Sequence, residues 1–268
     1  MFVDYHTHHY RCGHAVGTLR EYVEQAVKLK LDQIGLSDHM PIIHLPKGKK
    51  LEGIGMEVFE IEKYVSEALA LKEEYKKDID IKVGLEADYI PKYEKEIEKL
   101  LSPYPFDYLI GSVHFLGEWD FSDSRQISGW RKRSVDDIFE EYFYTVENAA
   151  KSGLYNIVGH FDVVKKFGHN PRKNMDPVIK QTLKSIKESD MVMEINTSGL
   201  RIVNEIYPSP KILKQAVEMG IDFTFGSDAH KPEDVFWGIE NAGELLKELG
   251  VNKIATFEKR LKKMVSLI

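Results

Sequence analysis

Seven short runs rich in Val, Ile, Leu and Phe recur along the chain, and each predicts a buried strand. They are Phe2–Tyr5, Gln33–Leu36, Ile81–Leu85, Tyr108–Val113, Asn156–Val158, Met191–Ile195 and Asp222–Phe225. Between them the apolar residues take the three- and four-residue spacing of an amphipathic helix. Leu19–Leu29 sets Leu19, Tyr22, Val23, Ala26, Val27 and Leu29 on one face. Val58–Tyr75 does the same with Ile61, Val65, Ala68, Leu69 and Leu71, and Val135–Ala150, Val178–Ile186, Ile212–Val217 and Glu240–Leu249 keep that period. Gly153, Gly220 and Gly250 stand just past helical stretches, where a C-terminal cap wants positive φ. Ile254–Ile268 reads as a closing helix.

Strand alternating with helix implies right-handed βαβ units on a parallel sheet. Seven repeats favour a single-domain α/β fold, a (β/α)7 barrel distorted by the lack of an eighth unit, over an open doubly wound sheet. No composition break or low-complexity run divides residues 1–268. Longer loops are expected at Met40–Met56, Leu116–Ser134 and Thr197–Pro208.

Chemistry gathers at the carboxyl ends of barrel strands. The first strand ends in His6 and His8, with His14 in the next loop, and the second in Asp38 and His39. The third carries Glu86 and Asp88, the fourth His114, and the fifth His160 and Asp162. The sixth gives Glu194, Asn196 and Ser198, and the seventh gives Asp228 and His230. Seven of the ten histidines fall at or just beyond these ends, a placement that scattered surface histidines do not produce. His6, His8, His14, His39, Glu86, His114, His160, Asp228 and His230 exceed what one ion needs. They predict two or three divalent ions with a carboxylate such as Glu86 bridging a pair, and hydrolysis as the reaction class. Zinc, manganese and iron all suit such a mixed imidazole and carboxylate site.

Composition narrows the rest. The net charge of −6 argues against a nucleic-acid-coating surface. No apolar stretch approaches the ~18 residues of a membrane span. The N-terminus lacks the basic and apolar regions of a signal peptide, so a cytoplasmic location is expected. Cys12 is the single cysteine, which excludes an intrachain disulfide. No dinucleotide-binding glycine fingerprint follows the first strand, so nothing points to redox chemistry.

The segments DYHTHHYRCGH, GLSDHM, GLEADY, GSVHF, GHFD, EINTSGLR and GSDAH resemble, in order from residue 4 to residue 230, the PHP family, named for polymerase and histidinol phosphatase. The resemblance implies a distorted (β/α)7 barrel with a trinuclear metal site. Carried over, it implies that His6, His8, Glu86 and Asp228 hold a first ion. Glu86 bridges to a second, completed by His114 and His160, and His14, His39 and His230 hold the third. A metal-bridging hydroxide is then the nucleophile on phosphorus, with Glu86 and Asp228 at the catalytic centre. Asp38 is the candidate for protonating the leaving alkoxide or orienting water, or for hydrogen-bonding a ligand histidine. Gly17–Tyr22 and Gly111–Phe115 resemble the branch that hydrolyses L-histidinol phosphate in histidine biosynthesis.

The expected partner is a small-molecule phosphate ester. Arg201, with Lys165 and Lys166, offers charge to a phosphate. Glu118 or Asp120 offers a carboxylate to a cationic amino alcohol, and His44 is placed at the pocket entrance. Cys12 and His9 are expected to pack, His169 to lie on the surface, and Trp119 and Trp130 to anchor their loop. Glu194 faces the barrel interior but stays outside the ligand set. Three rivals remain at this point: a related phosphoesterase for sugar phosphates, nucleotides or phosphotyrosine; a metal-binding module without turnover; and an amidohydrolase. The last commonly uses a mid-chain lysine where this chain has Glu86 or His114.

Overall fold

Every expected strand forms, in a ring that the main chain closes. The computed structural model describes residues 1–46 and 48–267, so Lys47 of the Met40–Met56 loop and Ile268 of the expected closing helix lie outside the described residues. In chain order the strands are β1 (Val3–Asp4), β2 (Gln33–Leu36), β3 (Asp80–Val83), β4 (Glu86–Asp88), β5 (Ile110–Ser112), β6 (Phe115–Leu116), β7 (Trp119–Asp120), β8 (Ile157–Val158), β9 (Val192–Asn196), β10 (Asp222–Gly226), β11 (Lys253–Glu258) and β12 (Leu261–Ser266). Parallel pairing runs β1–β2–β3 and, separately, β4–β5–β8–β9–β10.

Two junctions join these sheets. At one, β3 continues through Gly84 and Leu85 into β4, where the Glu86 N–H donates to Ser37 O at 2.9 Å and the Met40 N–H to Glu86 O at 2.9 Å. At the other, the Tyr5 N–H donates to Phe225 O at 2.9 Å and the His8 N–H to Ala229 O at 2.8 Å. Counting β3 and β4 as one interrupted strand, seven strands make a parallel barrel, as the seven apolar runs imply. Its strands are buried on both faces, which is why they read as continuous apolar runs rather than as alternation.

The helices are α1 (Leu19–Lys28), α2 (Ile61–Glu74), α3 (Glu94–Leu101), α4 (Val135–Lys151), α5 (Asp176–Glu188), α6 (Gly199–Ile202), α7 (Pro210–Glu218) and α8 (Ile239–Glu248). A capping box between Thr18 and Glu21 starts α1. Gly153, Gly220 and Gly250 take φ of 72°, 67° and 84° just past α4, α7 and α8. The pattern missed α3 because only Ile97 and Leu101 of its residues are buried, too thin a stripe to stand out. The Leu116–Ser134 loop carries a 3-10 turn over Ser124–Arg131, pinned where Trp119 meets Trp130 edge-on at 5.5 Å. His169 is not a bare surface group; it stacks on Trp130 at 4.1 Å.

The closing helix expected over 254–268 is instead the antiparallel hairpin β11–β12. Leu261, Lys262, Lys263 and Met264 are good helix formers, and tertiary pairing overrides them. Lys259 and Arg260 hold φ of 49° and 68°, the two positive values of a type I′ hairpin turn. Ile254, Ala255 and Phe257 are buried against the barrel floor, where the Phe257 N–H donates to the Tyr5 hydroxyl at 3.2 Å. The hairpin therefore seals the amino-terminal end of the barrel and leaves the carboxyl ends of the strands open.

Candidate metal centre

At those open ends, five imidazoles converge on the carboxylate of Glu86, the first residue of β4. Its Oε2 lies 3.4 Å from His6 Nε2, 3.6 Å from His8 Nε2 and 2.8 Å from His39 Nδ1. Its Oε1 lies 2.9 Å from His160 Nε2 and 3.7 Å from His114 Nε2, and accepts from the Ser112 hydroxyl at 2.6 Å. Asp228, just past β10, brings Oδ1 to 3.0 Å from His8 Nε2 and 3.8 Å from His6 Nε2. Its main chain sits at φ 53°, a left-handed conformation that Asp tolerates better than most residues. His14 and His230 face each other across 3.0 Å between their Nε2 atoms. All nine residues expected as ligands therefore lie in one cluster.

The donor set fits cations. His6 Nε2, His8 Nε2 and Glu86 Oε2 are buried without a hydrogen-bond partner. His114 and His160 point Nε2 at Nε2 across 3.2 Å. Buried polar atoms left this way are costly, and an ion between them satisfies several at once. Among the described residues, four overlapping trios have ligand atoms close enough to share an ion: His6, His8 and Asp228; His6, Glu86 and His160; His39, Glu86 and His114; and His8, His39 and His230.

The proton affinities carry the same message. Burial opposes charge on His8, yet its contacts with Asp228 and Asp38 raise it to about 9. His114 is likewise raised to about 9 against burial by Asp88 and Glu86. Burial would raise Glu86 and Asp228, but the surrounding imidazoles hold both well below the usual carboxylate range. His39 and His230 are pushed down by burial, with crowding by neighbouring rings adding to it. The site attracts positive charge and places several neutral imidazoles to receive it.

A second ring of carboxylates orients the first. Asp88 Oδ1 accepts from His114 Nδ1 at 3.0 Å, and Glu194 Oε1 accepts from His6 Nδ1 at 2.6 Å. Asp38 lies on the same outer ring and does not line the cavity. Its Oδ1 is 3.5 Å from His8 Nδ1, and its Oδ2 contacts His9 Nδ1. Arg11 donates to His9 Nε2 at 2.9 Å, which leaves the His9 proton on the side of Asp38. Asp38 therefore stands behind His8 and His9 rather than on the cavity lining. Cys12 is buried beneath its own turn, with burial pushing the thiol up.

A cavity of about 460 Å³ opens over the cluster. Seven of the expected ligands, His14, His39, Glu86, His114, His160, Asp228 and His230, form its floor, and its walls include Asp120, Asp123, Arg125, Lys166, Ser198 and Tyr207. Four expected substrate residues are not among the lining. Arg201 donates to Ser227 O at 3.0 Å and Asp228 O at 3.3 Å, with its guanidinium 5.0 Å from the Trp237 ring centre. Lys165 turns away to Glu205 at 2.5 Å and Asp162 at 3.0 Å, and its neighbour Lys166 takes the cavity wall. Glu118 sits at an exposed hairpin tip paired with Lys49, whereas Asp120 is buried on the wall. His44 packs edge-on behind Phe115, ring centres 4.7 Å apart. Arg125 escaped the sequence reading altogether, because a lone arginine in a long loop carries no periodic or spacing signal.

Residues 4–198 match the family model for the PHP domain. The chain is 37% identical over 262 residues to a probable histidinol-phosphatase of Deinococcus radiodurans, covering 96% of both chains. It is 32% identical to the histidinol-phosphatase of Bacillus subtilis, over 88% of this chain and 96% of that one. Among solved structures, the histidinol phosphate phosphatase of Lactococcus lactis, complexed with zinc, L-histidinol and phosphate, superposes with a TM-score of 0.81 at 22% identity, covering 98% of each chain. That likeness shows the fold, and the barrel described above is the one they share.

Proposed function

The chain belongs to the PHP family, and from that premise we propose that it hydrolyses L-histidinol phosphate to L-histidinol and phosphate. The observation that carries the reading is the convergence of five imidazoles on the two oxygens of Glu86 beneath one open cavity. His6, His8, Glu86 and Asp228 would hold one cation, Glu86, His114 and His160 a second, and His14, His39 and His230 a third. When bound, two to three zinc, manganese or iron ions supply Lewis acidity and lower the pKa of a water for attack on phosphorus.

The chain's own residues do the rest. Glu86 and Asp228 hold the negative charge that fixes the cluster. Lys166 brings positive charge to the cavity for a phosphate group. Arg125 also lines it, but its guanidinium is paired with Asp123 at 2.7 Å and donates to Glu52 O at 2.9 Å. Asp120 receives the substrate's ammonium group: its Oδ1 is engaged by the Ser122 N–H at 2.9 Å, the Ser122 hydroxyl at 2.7 Å and the Asp123 N–H at 3.0 Å. These contacts fix the carboxylate and leave Oδ2 for a ligand. Burial raises the Asp120 pKa, and an arriving cation offsets that penalty. Asp123 is paired with Arg125 and Asp88 with His114, which leaves Asp120 as the carboxylate that favours an ester carrying an ammonium group.

We read residues 1–268 as one catalytic domain acting in the cytoplasm on a small molecule. The net charge of −6 speaks against nucleic acid as a partner. No helix among the described residues is long and apolar enough to cross a membrane.

The test is phosphate release from L-histidinol phosphate beside a panel of other monoesters, on protein whose metal content has been counted. Preference for histidinol phosphate with two to three ions bound supports the proposal. Turnover confined to other esters would remove the substrate and keep the phosphatase. Metal-loaded protein inert on every ester would remove both.

A further inference from the structure

Glu194 is a buried carboxylate that none of the assignments above uses as a ligand. It lies on β9, 1% exposed, with its side chain inside the barrel. Oε1 accepts from His6 Nδ1 at 2.6 Å, reaching past β10 to β1. Oε2 accepts from the main-chain N–H of His160 at 2.7 Å, just past β8 on the other side, and from Asn196 Nδ2 at 3.1 Å. One side chain thus ties three ring positions together. The reach is possible because the intervening residue of β10 is Gly226. A Cβ there would lie 1.9 Å from Glu194 Oε1 and 2.5 Å from the His6 Cβ.

The consequence for His6 is a fixed tautomer. In the neutral ring that a cation requires, a proton held on Nδ1 by Glu194 leaves Nε2 as a lone pair, and Nε2 is the buried, unpartnered atom that faces Glu86 and Asp228. On the other side, Glu194 anchors the main chain of His160, whose Nε2 lies 2.9 Å from Glu86 Oε1. We propose that Glu194 is the positioning residue that sets His6 and His160 together, so that the two cation positions sharing Glu86 gain or lose affinity as a pair. The inference rests on the metal reading given under the proposed function.

Glu194→Gln keeps the shape and removes the pattern of two acceptors. Its amide NH2 must face either His6 Nδ1, moving the ring proton to Nε2 where the ion belongs, or the His160 N–H, setting donor against donor. Metal-stripped wild type and variant are titrated with Zn²⁺ against a chromophoric chelator, with folding checked by circular dichroism. The wild type, loaded with zinc and labelled with ¹⁵N-histidine, is read by NMR for the His6 tautomer. The expected result is a loss of about 10–100-fold in zinc affinity at two sites together, and a proton on His6 Nδ1 in the wild type. Unchanged zinc affinity in a folded variant overturns the proposal. So does a His6 ring protonated at Nε2, a reading that needs no variant and decides the matter if Glu194→Gln does not fold. A wild type that takes up no zinc overturns this proposal and the metal reading alike, whereas a zinc-loaded wild type matched by its variant overturns this proposal alone.

Discussion

Asp88 Oδ1 accepts two hydrogen bonds from one residue, His114: from its main-chain N–H at 2.9 Å and from Nδ1 at 3.0 Å. The pair fixes where the histidine starts and which way its ring turns, so Nε2 meets His160 and Glu86. A carboxylate behind a ligand imidazole raises its basicity as well as its order. Asp88→Asn should therefore weaken zinc by about 10–100-fold at the position shared with His160, while the fold persists. A competitive zinc titration with a thermal melt checks this. Equal affinity in variant and wild type would show that the backbone alone orients His114.

Metal uptake should release protons. In the metal-free site His8 and His114 are each raised to about 9, so both are largely protonated at pH 8. Only neutral imidazole ligates. Zinc therefore displaces their protons, and its apparent affinity rises with pH through that range. His6, which burial opposes but Glu194 and Glu86 raise well above the usual imidazole range, adds to the release. Calorimetry of zinc binding in buffers of different ionisation enthalpy counts the protons directly. No release at pH 8 would mean that the carboxylates fail to hold these rings charged.

The clustering of the nine expected ligands was legible in the sequence because they stand at or just past the ends of the apolar runs. That arrangement survives any error of a residue or two in strand bounds. The residues that grip substrate were not legible, because single-residue geometry decides them. Lys165 and Lys166 are neighbours, and the short 3-10 turn over Val163–Lys165 sends one to Glu205 and the other to the cavity. Glu118 and Asp120 are two apart, yet the tight β6–β7 hairpin leaves Glu118 at its exposed tip and carries Asp120 inward. Glu194 was seen to face the interior from its strand register. That it meets His6 depends on Gly226 of β10, a relation that crosses strands and leaves no local pattern. The closing hairpin was misread because helix-forming residues fill β12 while its register comes from a turn with two positive φ values.

Asp120→Asn separates recognition from chemistry. The substitution keeps an oxygen for the Ser122 contacts and removes the charge offered to an ammonium group. A charge-assisted hydrogen bond contributes about 1.5–3 kcal/mol. KM for histidinol phosphate should accordingly rise about 10–100-fold, with KM for an uncharged-alcohol phosphate ester little altered. Parallel kinetics on the two esters test it. An equal change on both would remove Asp120 from amine recognition.

Arg201 presents the sharpest contrast between sequence and structure. An arginine just past a strand end suggests a phosphate clamp, yet Arg201 is not among the cavity lining, and its Nη2 donates to the carbonyls of Ser227 and Asp228 while the guanidinium lies against the Trp237 ring. Those carbonyls belong to the segment where Asp228 holds φ of 53°, so the contact steadies a strained ligand backbone. If Arg201 clamped phosphate, Arg201→Ala would raise KM at full metal occupancy. The structure predicts the other pattern. Zinc content should fall at the position held by Asp228, kcat should fall with it, and KM of the metal-saturated variant should stay near the wild-type value. Stability should drop by about 1–2 kcal/mol from the lost hydrogen bonds and ring contact. Metal analysis beside saturation kinetics at added zinc distinguishes the two, and a KM effect alone would return Arg201 to the substrate.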